Sequence, residues 1–211
     1  MSDSDMTGMP RKKATIRLGQ REMGRLSALV LVILALALFF GGYHLFRNFK
    51  SRRDIVIGRS NLLAIYKALN GYAQDWDSRL PDAKTWSDNV AGYLSVPQGT
   101  PGGPLSLLHG PGDNGTVGYV YNDAASGYNL EPTGKNDRQA GISPDRLVLL
   151  IERVGAPLNA HEDIKPEDED QKDFFHRLTF PHYSEDAENA TELVLYANGR
   201  ILERKRSEFI H

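Results

Sequence analysis

Residues Leu26 to Tyr43 read LSALVLVILALALFFGGY, eighteen positions without a charge, and Leu45 and Phe46 carry the apolar run past His44. From Leu26 to Phe46 is 21 residues. At a rise of about 1.5 Å per residue, such a helix crosses a hydrocarbon layer of about 30 Å. A secretory signal core is shorter, roughly 7–15 residues, and ends in a small-x-small cleavage site. Gly41-Gly42-Tyr43-His44-Leu45-Phe46 offers no such site. The pattern predicts an uncleaved single-pass anchor, with the Tyr43 ring at the headgroup layer.

After Arg47 the pattern becomes amphipathic. Ile55, Leu62, Ile65, Leu69, Tyr72 and Trp76 recur at spacings of three, four and seven, which gathers them on one helical face. Arg52, Arg53, Arg59, Lys67 and Gln74 fall largely off it. Nothing between residues 26 and 76 breaks a helix, although Gly41-Gly42 could kink one. The expectation is one long helix, its first half in lipid and its second half packed on a domain, ended by Asp77-Ser78-Arg79-Leu80-Pro81. Thr85 to Leu94 predicts a short helix with Trp86, Val90 and Leu94 on one face. Residues 95–116 hold four Pro and six Gly, a density that predicts a loop.

Period-two and continuous apolar runs follow. Val117–Tyr121 and Arg146–Ile151 predict strands, the second buried on both faces. Pro157–Lys172 predicts an acidic loop, and Arg177–Phe180 a short strand. Two β-rich runs, Glu192–Ala197 and Arg200–Arg204, flank Asn198-Gly199. That dipeptide favours a two-residue hairpin turn with positive φ at both positions. Helix first and strands afterwards gives an α+β class, with the sheet available to cover the helical stripe.

At 211 residues the chain has room for one domain plus accessories. It is 40% hydrophobic and 25% charged, an ordinary globular composition. The absence of cysteine excludes disulfides, a thiol nucleophile, iron–sulfur clusters and thiolate zinc sites. A net charge of −2 argues against a nucleic-acid partner. Six Lys or Arg precede the span and five follow it closely, a slight preference for a cytoplasmic N-terminus. Residues 60–211 carry 14 Lys or Arg against 23 Asp or Glu. The expected organisation is a basic cytoplasmic tail (1–25), a transmembrane helix (26–46) and an extracytoplasmic α+β domain (47–211).

The stretch Ser60-Asn61-Leu62-Leu63-Ala64-Ile65-Tyr66-Lys67-Ala68-Leu69-Asn70-Gly71-Tyr72-Ala73-Gln74-Asp75-Trp76-Asp77-Ser78-Arg79-Leu80-Pro81 resembles the helix end of type IV pilin-like proteins. It is most similar to type II secretion pseudopilins and to the prepilin-type proteins with a C-terminal His…Asp-Gly box. Gly118-Tyr119-Val120-Tyr121-Asn122 resembles their following strand, and Leu195-Tyr196-Ala197-Asn198-Gly199-Arg200-Ile201 their closing hairpin. The likeness covers roughly 47–205, in patches. The chain departs from the family at both ends. Gly24 is followed by Arg25, with Leu29 where the family has Glu, and fifteen residues separate His182 from Asn198-Gly199.

The resemblance implies a pilin-like fold, a long transmembrane-to-soluble helix packed on a small antiparallel sheet. It implies a bacterial inner (cytoplasmic) membrane protein, N-terminus cytoplasmic, acting as a structural or interaction component of a type II secretion or pilus-like assembly. Its partners would be membrane lipid and other membrane or pilin-like subunits. The alternative is a stand-alone anchored extracytoplasmic binding module that does not polymerise. An anchored enzyme is the least supported reading. The chain has no Gly-x-Ser-x-Gly and no phosphate loop, and no small-molecule substrate suggests itself.

Other residues mark sites of interest. His44, His109, His161, His176, His182 and His211 form no metal-spaced pair, and the nearest cluster is His161-Glu162-Asp163. Asp163, Glu167, Asp168 and Asp170, with Glu169 and Asp173 nearby, are calcium candidates, because calcium takes several oxygen ligands from a flexible loop. Asp113-Asn114-Gly115 and Asn136-Asp137 read as turns. Tyr72, Trp76, Trp86 and Tyr93 either close the core or line a sugar-binding groove. The cations at 47–59 suit anionic headgroups. The segments 95–116 and 157–175 are the expected contact loops.

Overall fold

The computed structural model describes residues 20–96, 102–112, 115–131, 142–182 and 189–208. The basic tail before Gln20, Asp113-Asn114, Asn136-Asp137 and His211 lie outside them. Helix α1 (Gln20–Asp75) is a single 56-residue element that passes through Gly41-Gly42. The chain divides into two compact units at His44–Leu45.

In the first unit every described side chain from Ser27 to Tyr43 is exposed, Leu38 and Phe39 to 70% and 69%. Apolar side chains exposed all round a helix suit a lipid surround, not water. Among the described residues this is the one helix long and apolar enough to cross a membrane.

The second unit is α+β. Helix α1 ends because Asp77 and Ser78 turn left-handed (φ 52° and 61°) and the Ser78 amide closes back on the Ala73 carbonyl at 2.8 Å. A 3₁₀ turn (Ala83–Thr85) leads into α2 (Trp86–Ala91), the short helix expected there. Residues 104–108 form another 3₁₀ turn, and then six strands follow: β1 (His109–Gly112), β2 (Gly115–Asn122), β3 (Val148–Val154), β4 (His161–Glu162), β5 (Thr191–Tyr196) and β6 (Ile201–Lys205). Helix α3 (Gln171–Arg177) lies between β4 and β5. The strand order is β1-β2-β3-β5-β6, every neighbour antiparallel, while β4 pairs parallel with the end of β2 at Tyr121 and Asn122.

Two layers cover this sheet. Leu62, Ile65 and Leu69 of α1, with Trp86, Val90 and Leu94, pack on Tyr119, Tyr121, Leu150, Leu193 and Leu195. The opposite face, Val120, Ile151, Val194 and Tyr196, packs on Phe174, Leu178 and Phe180. Strand β3 is therefore buried on both sides, as its unbroken apolar run predicts. Asn122 ties the layers together. Its Nδ2 donates to Val148 O and Ile164 O, and its Oδ1 accepts from the Ala124 and Ile164 amides. All four hydrogen-bonding positions of a fully buried amide are thereby filled, which removes the cost of burying it.

Four expectations fail. Pro157–Lys172 is not loop throughout: His161–Glu162 pairs with the end of β2, and α3 begins at Gln171. Segment 95–116 is not loop throughout. His109–Gly112 pairs with Gly115–Gly118, because an edge strand tolerates Pro111 where a central one does not. Arg177–Phe180 is not a strand. Arg177 is the last residue of α3, and Phe180 takes φ 49°, outside the strand range. The closing turn spans three residues instead of two. The Gly199 amide bonds Tyr196 O and the Tyr196 amide bonds Arg200 O, so only Gly199 is left-handed, at φ 82°. Asn198 instead keeps negative φ and accepts the Arg200 amide on Oδ1, the three-residue loop that is the next most common hairpin connection.

Candidate functional site

The stripe of α1 that faces the sheet changes character along its length. From Leu62 onward it is apolar. Before Leu62 it continues as Ser51, Asp54, Gly58 and Asn61, all buried. Spacings of three and four keep these on the same face. Gly58 lets the helix approach β3, because a Cβ there would stand 2.7 Å from Glu152 Oε1 and 3.1 Å from Leu193 Cδ1. Glu152 and His182 meet beneath it. His182 Nε2 lies 2.8 Å from Glu152 Oε2, and both side chains are 1% exposed. The Leu193 amide donates to the same carboxylate oxygen at 3.0 Å. Asn61 Nδ2 donates to His109 O, which fixes the helix to the edge hairpin. Asp54 is 1% exposed, with the Arg53 guanidinium 3.6 Å away. The resemblance would set His182 in the family's C-terminal box. The structure places it in a buried polar contact under the helix.

On the other face Glu192 is fully buried and accepts the Thr179 and Phe180 amides on Oε2. Burial pushes its carboxyl well above the usual range, against the two amide bonds that favour the anion, and the Glu152 charge adds to the rise. The folded state therefore holds a proton that the unfolded chain releases. The stability this contributes is complete below the ordinary carboxylate pKa of 4.5 and is lost as pH climbs toward the raised value. Thermal melts should accordingly fall as pH rises from about 4.5 toward that raised value. Glu192→Gln preserves the acceptor and should flatten that slope, melting above the parent at the alkaline end. An unchanged slope would show that Glu192 does not carry it.

The acidic segment is ordered by arginines. Glu167 pairs with Arg204, and Asp168 and Glu169 pair with Arg146 at 2.8 and 3.1 Å. Asp170 accepts the Asp173 amide and caps α3, and Asp163 is exposed. Glu167, Asp168, Arg146 and Arg204 border a 370 Å³ cleft that Tyr196 also lines, with the Arg200 guanidinium 4.7 Å above its ring. A cation entering there competes with Arg146 and Arg204 for the carboxylates. Among the described residues no three His, Asp or Glu side chains converge as a metal set. Next to this segment, Glu162 lies between Arg153 and Arg177. Burial alone would raise its carboxyl, but the two guanidiniums outweigh burial and hold it below the usual value.

The four aromatics separate. Trp86 is 1% exposed, stacks on Tyr121 with centroids 5.6 Å apart, and donates Nε1–H to Ala160 O. Tyr72 and Trp76 stack at the far end of α1, and Trp76 is 57% exposed. So Trp86 belongs to the core, and the other pair belongs to a surface cleft.

Sequence reasoning misses Gly58, Asp54, Glu152, Glu192 and Asn159. Gly58 and Asp54 had a signal, since they extend the stripe at its own period with polar or absent side chains. Glu152 and Glu192 end or begin apolar runs and read as solvent-facing strand ends. Asn159 had none: its Oδ1 accepts the Ser87 amide and hydroxyl across 72 positions of sequence, and so holds the start of α2. No family model, curated protein or solved structure matches the chain.

Proposed function

We propose that the chain is a membrane-anchored structural protein that assembles side by side with like subunits through α1, in the manner of a pseudopilin. Residues 26–46 lie in a bacterial inner membrane, the N-terminus is cytoplasmic and the α+β unit is extracytoplasmic. The observation that carries this reading is the outward face of α1. Phe49, Val56 and Leu63 are 71%, 67% and 44% exposed and stand seven residues apart. Side chains at that spacing stay on one face and suit a neighbouring helix packed nearly parallel. Exposed Leu45 and Phe46 make the stripe continuous with the apolar span. Exposed Arg52, Arg53 and Arg59 flank it, where anionic headgroups add on the order of 1 kcal/mol per cation. The best-formed polar pair, Glu152–His182, is closed from solvent, which favours a structural role over a catalytic one.

The cysteine-free sequence makes the test direct. In membranes, Val56→Cys should form a disulfide-linked dimer under mild oxidation, whereas Lys84→Cys, exposed on the 3₁₀ turn before α2, should remain monomeric. Equal crosslinking at both positions, or none at Val56→Cys, would leave the solitary anchored module as the better reading.

A further inference from the structure

Where α1 ends, the chain builds a cleft of 320 Å³ lined by Tyr72, Trp76, Asp77, Arg79, Asp82 and Ser126 among others. Its apolar wall is a stacked pair. The Tyr72 and Trp76 ring planes lie within 12° of parallel with centroids 5.5 Å apart, so each covers part of the other's inner face and the outer Trp76 face is left to the cleft. That face is braced from behind. Tyr93 meets Tyr72 edge-on at 5.8 Å, and the Tyr93 hydroxyl donates to Asp75 Oδ2 at 2.9 Å. Yet the Trp76 indole is 57% exposed. A large ring stacked on a braced partner and still mostly open to water suits an external ligand, since its exposed apolar face gains nothing from the fold itself.

The opposite wall is polar and equally fixed. Two consecutive left-handed residues, Asp77 and Ser78, direct the chain into a short ribbon. Leu80 N bonds Tyr128 O, Gly127 N bonds Leu80 O and Leu130 N bonds Ser78 O. Left-handed backbone is strained at a non-glycine residue, and such strain persists where the surroundings enforce it. The ribbon holds Arg79, which is exposed and forms no ion pair with any described residue. Across from it, Asp82 accepts the Lys84 amide and, at 3.4 Å, the Ser126 hydroxyl, and keeps acceptor capacity.

We infer that this cleft binds a neutral oligosaccharide. A pyranose ring has one face of C–H groups, which packs on an open aromatic face, and a rim of hydroxyls, each both donor and acceptor. The cleft matches both parts: the outer Trp76 face, backed by Tyr72, for the C–H side, the Arg79 guanidinium as donor and the Asp77 and Asp82 carboxylates as acceptors at the rim. Three charged groups of mixed sign leave no strong net field, which fits an uncharged ligand better than a phosphate or a polyanion. The inference goes beyond the assembly reading and does not depend on it.

The two tryptophans supply the readout. Trp86 is buried and Trp76 open, so acrylamide quenching of the detergent-solubilised full chain reports Trp76. Hexamers of β-1,4-linked N-acetylglucosamine and of β-1,4-linked glucose are the probes. At least one should shift the emission to the blue and protect it from quenching, saturably. Arg79→Ala should raise the apparent Kd about tenfold or more, equal to about 1.4 kcal/mol, with the parent melting temperature retained. In calorimetry Trp76→Ala should abolish the binding heat, while Trp86→Phe, although destabilising, keeps it. Absence of protection by both hexamers at millimolar concentration would overturn the inference. So would protection that survives Arg79→Ala and Tyr72→Ala together. Protection that depends on protein concentration instead of saccharide would overturn it too and assign the cleft to a second copy.

Discussion

Truncating either member of the Glu152–His182 pair should destabilise the α+β unit by about 3–5 kcal/mol, a large fraction of the 5–15 kcal/mol that holds a typical domain together. The reason lies in what remains. Both side chains are 1% exposed, so Glu152→Ala leaves an imidazole buried without its partner and the Leu193 amide without its acceptor. His182→Ala leaves a buried carboxylate with only that amide. Once one partner is gone, removing the second should cost much less, and a double-mutant cycle should return a coupling of about 1–3 kcal/mol. Glu152→Met combined with His182→Leu should come much closer to the parent, because a buried polar pair contributes little over well-packed apolar groups of similar size. Urea titrations followed by circular dichroism check all four variants. If Glu152→Ala falls within about 1 kcal/mol of the parent, the pair does not hold α1 to the sheet at Gly58.

The second large effect concerns the membrane. Leu34→Asp together with Leu36→Asp places two carboxylates near the middle of the apolar run, and the two lie on different faces of the helix. Each costs about 2.5–3.5 kcal/mol at the centre of a bilayer, so the pair opposes insertion by about 5–7 kcal/mol. The expected result is a shift of most of the protein from the carbonate-resistant pellet to the supernatant or to degradation. The same two changes at Ser60 and Leu63, outside the apolar run, should leave the pellet fraction as it is. Equal retention of both variants would mean that residues 26–46 do not hold the chain in lipid.

Much of the fold was legible because its period is strong. The long apolar run of α1, the stripe of Leu62, Ile65 and Leu69, and the apolar run of β3 each state their character in a few residues. The second core was not legible. It depends on Phe174, Leu178 and Phe180, which sit in and beyond an acidic segment whose charges dominate its appearance. Those charges serve the fold, as Arg146 and Arg204 draw Asp168 and Glu167 against the sheet edge. Strand β1 was hidden by its own composition. Pro111 and two glycines in four residues predict a loop, and only the neighbour β2 turns them into an edge strand. The polar half of the helix stripe was hidden in a different way. Asp54 and Asn61 sit at core spacing, yet hydropathy alone assigns them to solvent.

The most direct test of the central claim, that α1 is a lipid-crossing helix in its first part and the backbone of the domain's core in its second, is single-cysteine labelling in intact cells with a membrane-impermeant maleimide. The account predicts that Lys84→Cys labels readily, that Ser4→Cys labels only after the membrane is permeabilised, that Leu36→Cys resists the reagent until detergent is added, and that Ile65→Cys resists it until the protein is unfolded. Ready labelling of Leu36→Cys without detergent, or of Ile65→Cys in the folded protein, would contradict it.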